Sequence, residues 1–168
     1  MFPYVYLYSI YFPCFSVLNH YFWFPNFTYL MTDVHSPETR SFNMSRIKNK
    51  DTKPELLVRK FLYARGMRYR LHDKNLPGKP DIVIRRLKTV IFVNGCFWHG
   101  HENCKYFIIP VTRKKWWLDK INDNKQRDVK NLSLLTKLGW KTYIIFECEL
   151  KKHNLLLTLN SLVNKINS

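Results

Sequence analysis

Residues 95–104 read Gly-Cys-Phe-Trp-His-Gly-His-Glu-Asn-Cys and follow directly on the apolar run Thr89-Val-Ile-Phe-Val93. Such a stretch cannot simply continue a buried strand. It has to leave the sheet, and it carries its own means of being held. Thiolate and imidazole are the ligands zinc prefers. Cys96 and Cys104 bracket two histidines, and Cys148 can return as a further ligand. Three cysteines and one histidine make a closed tetrahedral set with no open position for a reacting water. Spacing alone allows either His99 or His101 as the nitrogen ligand. Two ordinary buried cysteines beside a surface histidine would not need so dense a cluster. The pattern also lacks the His-x-Glu and Pro-Cys-x-x-Cys elements of a zinc deaminase. Phe97 and Trp98, side by side in the same loop, are costly to expose unless something planar or apolar covers them.

What the loop acts on is suggested by charge. The chain carries 28 Lys and Arg against 12 Asp and Glu, a formal net charge of +16 over 168 residues. Each phosphate neutralised by such a surface releases counterions, so nucleic acid is the favoured partner and an acidic membrane surface the next. The length suits one domain with a real core. Four cysteines, Cys14, Cys96, Cys104 and Cys148, are too few for a disulfide scaffold, and their company of histidines points to metal in a reducing compartment.

Residues 1–30 are a different material: an aromatic leader with no Lys, Arg, Asp or Glu. It lacks a signal peptide's basic start and small-residue cleavage site, and Pro3, Pro13 and Pro25 spoil it as a membrane-spanning helix. Ordinary composition begins at Met31, which we read as the native start. Intact residues 1–30 in natively expressed protein, by mass spectrometry, would refute that.

Residues 31–50 read as a mobile basic arm, and 51–168 as the folded domain. Thr52 and Glu55 have capping-box spacing around Pro54, so a helix is expected from there to about Arg65, with Leu57, Val58, Phe61 and Leu62 inward and Gly66 as the stop. Met67–Leu71 alternates as a strand. Ile82–Ile84 and Val90–Val93, joined by Arg85–Lys88, predict a hairpin. A long helix is expected from about Arg113 to Leu138, its apolar stripe being Leu118, Ile121, Val129, Leu132 and Leu135. Trp140–Phe146 reads as a buried strand. Leu150–Ile166 reads as a last helix with Leu155, Leu159, Leu162 and Val163 inward. This order implies a small α/β sandwich with a mixed sheet. No internal repeat is present.

Two further features bear on chemistry. Asp81, after Pro80, opens the first hairpin strand, where many nucleases place a magnesium carboxylate; alone, a Pro-Asp pair is usually just a turn. Trp117, Asn124 and Asp128 form a second stripe on the long helix, and a Trp on a polar helix face can stack on bases.

The motifs Asp33-Val-His35, Thr39-Arg-Ser41, Asn43-Met44, Asp51-Thr52, Leu76-Pro-Gly-Lys-Pro-Asp81, Gly95-Cys-Phe-Trp-His99, Trp117-Leu118, Arg127-Asp128, Leu138-Gly-Trp140 and Glu147-Cys148 together resemble the very-short-patch repair (Vsr) endonucleases, over Met31–Leu150. The resemblance implies a restriction-endonuclease-like three-layer sandwich with a central mixed sheet and one structural zinc site. It implies a monomeric, Mg2+-dependent enzyme of the bacterial cytoplasm, associated with the nucleoid rather than a membrane. The expected substrate is double-stranded DNA with a T:G mismatch left by deamination of 5-methylcytosine, nicked 5′ to the T, with mismatch-repair proteins as partners. Asp81 would then be the Mg2+ carboxylate, joined by the main chain of Val93. His99 would be the general base and Asp128 a supporting acid. Cys96, His101, Cys104 and Cys148 would hold Zn2+. Phe97, Trp98 and Trp117 would wedge beside the mismatch, Met44 and Ile47 would reach the minor groove, and Glu55, Asn94 and Asn124 would lie at the DNA.

Three departures stand out. Val93-Asn94 replaces a frequent Thr-His, and Asn94 can donate to phosphate but carries no charge. Glu102-Asn103 lengthens the zinc loop by one residue. Glu55 matches a family acid, yet its capping-box role is a sufficient structural reason for it. A reading from another class is a catalytically inactive, zinc-stabilised module that binds mismatched DNA. A membrane-tethered protein using the aromatic leader is a third.

Overall fold

The computed structural model describes residues 36–48 and 50–168, all within one unit, Asp33–Ser168. The leader, Met31, Cys14 and the Asp33-Val-His35 motif lie outside the described residues. The basic arm is not wholly irregular, because Pro37–Ser45 forms helix α1. Ser36 caps it, accepting from the Thr39 amide at 3.2 Å, and Pro37 and Glu38 suit a first turn.

Helix α2, Lys53–Ala64, starts at the expected capping box: the Thr52 hydroxyl accepts from the Glu55 amide, and the Glu55 carboxylate accepts from the Thr52 amide. Gly66, at φ +76°, follows its end as the left-handed residue that a Cβ would disfavour. Val58 and Leu62 are buried and Phe61 partly so, but Leu57 is exposed. The inward face carries Glu55 and Arg59 instead, 3% and 5% exposed. An ion pair thus occupies positions that a purely apolar period assigns to leucine.

Four strands form one sheet in the order β1-β2-β3-β4: β1 Arg70–Leu71, β2 Ile82–Ile84, β3 Thr89–Asn94 and β4 Lys141–Phe146. The first two pairings are antiparallel and β3·β4 is parallel, so the sheet is mixed. The β2–β3 hairpin forms as expected, with Ile82 opposite Ile91 and a 3-10 turn at Arg85–Leu87. Only two residues of the expected Met67–Leu71 strand pair; Met67 and Tyr69 pack on the core without laddering. β4 is an edge strand rather than a buried one, with Ile145 inward and Ile144 exposed.

Alternation along β2 and β3 sorts their side chains onto two faces. Ile82, Ile84 and Ile91 join Val58 and Leu62 of α2 and Leu159, Leu162 and Ile166 of α4, Leu155–Asn167, in the larger core. Val83 and Val90 turn to the other face and meet Leu135 of α3, Lys114–Lys137, with Leu76, Phe92 and Trp140 around them. Helices therefore cover both faces of the sheet. Leu155 and Val163 are partly buried, as expected for α4, but Leu150 belongs to the turn before it.

The face α3 turns inward differs from the expected stripe. Ile121 and Leu135 are buried and Leu132 half-buried, whereas Leu118 and Val129 are exposed. Trp117, Asn124 and Asp128 are half-buried beside Ile121, so the two stripes distinguished in the sequence are one face. Among the described residues no helix is long and apolar enough to cross a membrane.

Candidate active site and metal cluster

The turn Leu76–Lys79 delivers Asp81. Lys79 N donates to Leu76 O at 3.1 Å, with Pro77 second in the turn and Gly78 third at φ +75°, as a type II turn requires. Beyond the last β2–β3 pair, the amide of Val93 has no strand residue to meet and donates to Asp81 Oδ2 at 2.8 Å. The carboxylate is largely buried, and this raises its pKa from the ordinary Asp value. The Val93 amide opposes the rise, Glu55 adds to it by repulsion, and His72 and Arg59 offset part.

β3 ends at Asn94 and the chain turns tightly. His99 N donates to Gly95 O at 3.2 Å, and His101 N donates to Cys96 O at 2.9 Å. His99 Nδ1 lies 2.6 Å from Asp128 Oδ2 of α3. An ionised carboxylate only accepts, so Nδ1 is the donor, and in the neutral ring this is the tautomer that leaves the Nε2 lone pair free. Asn124, one turn earlier on the same face, donates from Nδ2 to Trp98 O at 2.9 Å and accepts from Arg127. α3 thus grips the loop at two successive residues.

Asp81, Val93, Asn94, Phe97, Trp98 and His99 line one cleft of about 910 Å³, together with Glu55, His72, Met44 and Ile47. Phe97, Trp98 and Trp117 form a mutual edge-to-face cluster, with ring centroids 5.2–6.1 Å apart. Trp117 and Asn124 support the cleft from α3, and neither lines it. Asp128 likewise acts through His99. The Asp81 carboxylate, beside main-chain groups, is a hard oxygen donor of the kind Mg2+ accepts together with substrate phosphates. Glu55 and Glu147 of the same cleft are engaged by Arg59 and by the Cys96 amide.

Behind the cleft, the ligand atoms of Cys96, His101, Cys104 and Cys148 all lie within 4.8 Å of one another. Cys148 Sγ stands 3.4 Å from His101 Nδ1, close to the ~3.5 Å edge of a tetrahedron built on usual Zn–S and Zn–N lengths. His99 is engaged by Asp128, so His101 is the histidine brought into the cluster; its ring stacks on Phe146 at 3.8 Å. Burial pushes the Cys96 thiol up to about 12 and raises Cys148, while the Tyr106 amide lowers Cys104. Without a cation these sulfurs resist joint ionisation; a dication reverses that. The donor set fits zinc. Glu147 links the two sites, accepting from Cys96 N at 3.0 Å while lining the cleft.

Gly100 locks the loop against α3. Its φ is +57°, and a Cβ there would lie 2.3 Å from Lys125 Cε and 2.8 Å from Ile121 Cγ2. Lys125 can move, but buried Ile121 and the left-handed backbone cannot yield freely. Gly100→Ala is expected to cost about 1–3 kcal/mol. Chemical denaturation checks this; wild-type stability would show the contact to be slack.

The sequence reading passed over Arg59 and His72. Arg59 NH1 donates to Asp51 Oδ1 at 2.5 Å and NH2 to Glu55 Oε2 at 2.6 Å, and NH2 also reaches His72 Nε2 at 2.9 Å. Arg59 at the i+4 position from Glu55 was the available signal, but such pairs usually lie in solvent.

A family profile described as DNA mismatch endonuclease Vsr matches residues 32–105. The type II nicking enzyme V.NmeAIP of Neisseria meningitidis serogroup A is 49% identical over 137 residues, covering 81% of this chain and 97% of that protein. The DNA mismatch endonuclease Vsr of Escherichia coli K12 is 44% identical over 121 residues, covering 72% and 77%. The nicking enzyme V.XorIIP of Xanthomonas oryzae is 44% identical over 120 residues, covering 71% and 88%.

Proposed function

Because the chain belongs to the Vsr family of DNA mismatch endonucleases, we propose that it nicks one strand of duplex DNA 5′ to the T of a T:G mismatch. The observation that carries the chemistry is the His99–Asp128 contact at 2.6 Å, which leaves Nε2 basic in the cleft that also holds Asp81. The architecture expected with this activity is the restriction-endonuclease-like sandwich, with which the mixed sheet and its two helical faces are consistent.

His99 Nε2 takes the proton of the attacking water as its oxygen bonds to phosphorus and the P–O3′ bond breaks. Asp128 offsets the charge that the imidazole then carries. Mg2+, held by Asp81 and the main-chain carbonyl of Val93, would supply positive charge for the phosphate and the leaving oxygen. Asn94 can donate to a phosphate oxygen at the end of β3. Glu55 stays a cleft-wall acid, already occupied by its capping box and Arg59.

Selectivity follows from the aromatic cluster. Opening a base step costs a few kcal/mol, and less at a mismatch. Phe97 and Trp98, backed by Trp117, form a rigid wedge whose insertion is therefore favoured at weak steps. Exposed Met44 and Ile47 on the α1 side of the cleft suit minor-groove contact. The basic surface binds the backbone. DNA in the bacterial cytoplasm and mismatch-repair partners belong to the same reading.

The test is a single-turnover nicking assay on T:G and matched duplexes with Mg2+. Cutting is expected on the T:G strand 5′ to T, with His99→Ala slower by about two to four decades. Tight T:G binding without cutting by the wild type would favour the inactive binding module instead.

A further inference from the structure

One ring in the cleft has no part in the chemistry above. His72 directly follows β1 in a left-handed conformation, φ +46°, and its amide donates to the Asp81 carbonyl at 3.4 Å. Its Nε2 faces Arg59 NH2 at 2.9 Å. A guanidinium has only protons to offer, so Nε2 must accept and Nδ1 must carry the hydrogen. That Nδ1–H lies 3.8 Å from Asp81 Oδ1, while the Val93 amide holds Oδ2 at 2.8 Å.

Arg59 is itself held from several sides. It is 5% exposed, bonded to Asp51 and Glu55, and its backbone carbonyl accepts from Tyr69 Oη at 3.1 Å. The ligand atoms of Asp51, Glu55 and His72 converge within 4.8 Å, as they would around a metal ion. The guanidinium already stands among them, so the positive charge there is a side chain of the protein.

We propose that Arg59 and His72 form a positioning arm for Asp81: Arg59 fixes the ring and its tautomer, and the His72 Nδ1–H orients the carboxylate from the oxygen the Val93 amide does not hold. The inference rests on Asp81 being the cation-binding carboxylate. At 3.8 Å the ring acts through its dipole rather than as a direct hydrogen bond. Its effect is on the carboxylate's orientation, and so on cation affinity and rate, not on DNA binding.

Three measurements on the zinc-loaded protein test this. The first is the imidazole ¹⁵N spectrum of His72, expected to report the neutral Nδ1–H form; an Nε2–H form overturns the arm. The second is Mn2+ binding to the free protein by electron paramagnetic resonance. His72→Phe is expected to weaken it about 10–100-fold, the usual range for losing a partner of a metal ligand. The third is single-turnover nicking of a T:G duplex, where His72→Phe should lose rate by a similar factor with unchanged half-saturation by DNA. His72→Asn, whose Nδ2 replaces Nδ1, should restore both affinity and rate. Equal losses in folded Phe and Asn variants, or unchanged Mn2+ affinity in His72→Phe, overturn the proposal. A wild type that binds Mn2+ through Asp81 but leaves T:G duplex uncut would sink the mismatch reading alone.

Discussion

Asp81→Ala and Asp81→Asn are both expected to abolish nicking, and Asp81→Asn is expected to make the Mg2+-free protein more stable than the wild type near pH 7. The first outcome follows from the cation-binding role proposed for Asp81. The other carboxylates lining the cleft are engaged elsewhere, Glu55 by its capping box and Arg59, and Glu147 by the Cys96 amide, so neither replaces Asp81 when the residue is alanine or a neutral amide. The second follows from burial. Asp81 has a folded pKa above its unfolded one, so the folded state binds its proton more tightly. Stability therefore falls as pH rises from the ordinary carboxylate value, about 3.9, through the raised one, and the penalty is complete above both. In Asp81→Asn the side-chain carbonyl would still accept from the Val93 amide without carrying a charge toward Glu55. The advantage should shrink as pH falls and vanish below about 4. Thermal melts of both proteins at the two pH values in Mg2+-free buffer measure it, alongside the nicking assay. Residual nicking by Asp81→Asn would remove the carboxylate from the mechanism. Equal melting temperatures near neutral pH would show that the buried charge is already compensated.

That pairing of lost activity with gained stability explains which parts of the molecule were legible in its sequence. Local rules gave the α2 start, because Thr52 and Glu55 satisfy each other within one turn. They gave the hairpin, because Ile82–Ile84 and Val90–Val93 are apolar on both sides of a polar link. The thiol and imidazole cluster was visible because its chemistry has few other uses. The rotation of α3 was not. Hydrophobic period assigns Leu118 and Val129 inward, whereas Asn124 and Asp128 must face the loop to hold Trp98 and His99, and that tilts the helix about its axis. The Arg59–His72 arm was hidden for the same reason. A buried guanidinium becomes plausible only once Asp51, Glu55 and a ring 13 residues away are seen to converge on it. Helix α1 had a cap in Ser36 that the basic composition around it obscured.

Cys104→Ser should have an effect of another kind: loss of an ordered segment rather than of a reaction step. The cluster's four ligands come from the loop after β3 and from the turn after β4. Directly after Cys104 runs 105–113, ahead of α3, where Tyr106, Ile108 and Val111 are exposed and supply little core. On the proposed reading a metal held by the cluster orders this segment, and binding in comparable sites is worth on the order of 10 kcal/mol. Three remaining ligands with one hydroxyl bind zinc far more weakly. Most of the larger core comes from α2, β2 and α4, with only Leu150 drawn from the turn that carries Cys148, so it should survive. The expected result is loss of stoichiometric zinc, rapid amide exchange across 95–113, slow exchange retained in α2 and α4, and no nicking at any Mg2+ concentration. The last point separates this variant from one that only weakens Mg2+ binding, which excess Mg2+ would rescue. His99 explains why: Asp128 can orient the ring only if the loop brings it there, and the loop is held from behind by Cys96 and His101. A zinc-free Cys104→Ser protein that keeps 95–113 protected would mean that the aromatic contacts to Trp117 and the Asn124–Trp98 bond suffice to hold the loop. The cluster would then be a secondary stabiliser of the site rather than the element that organises it.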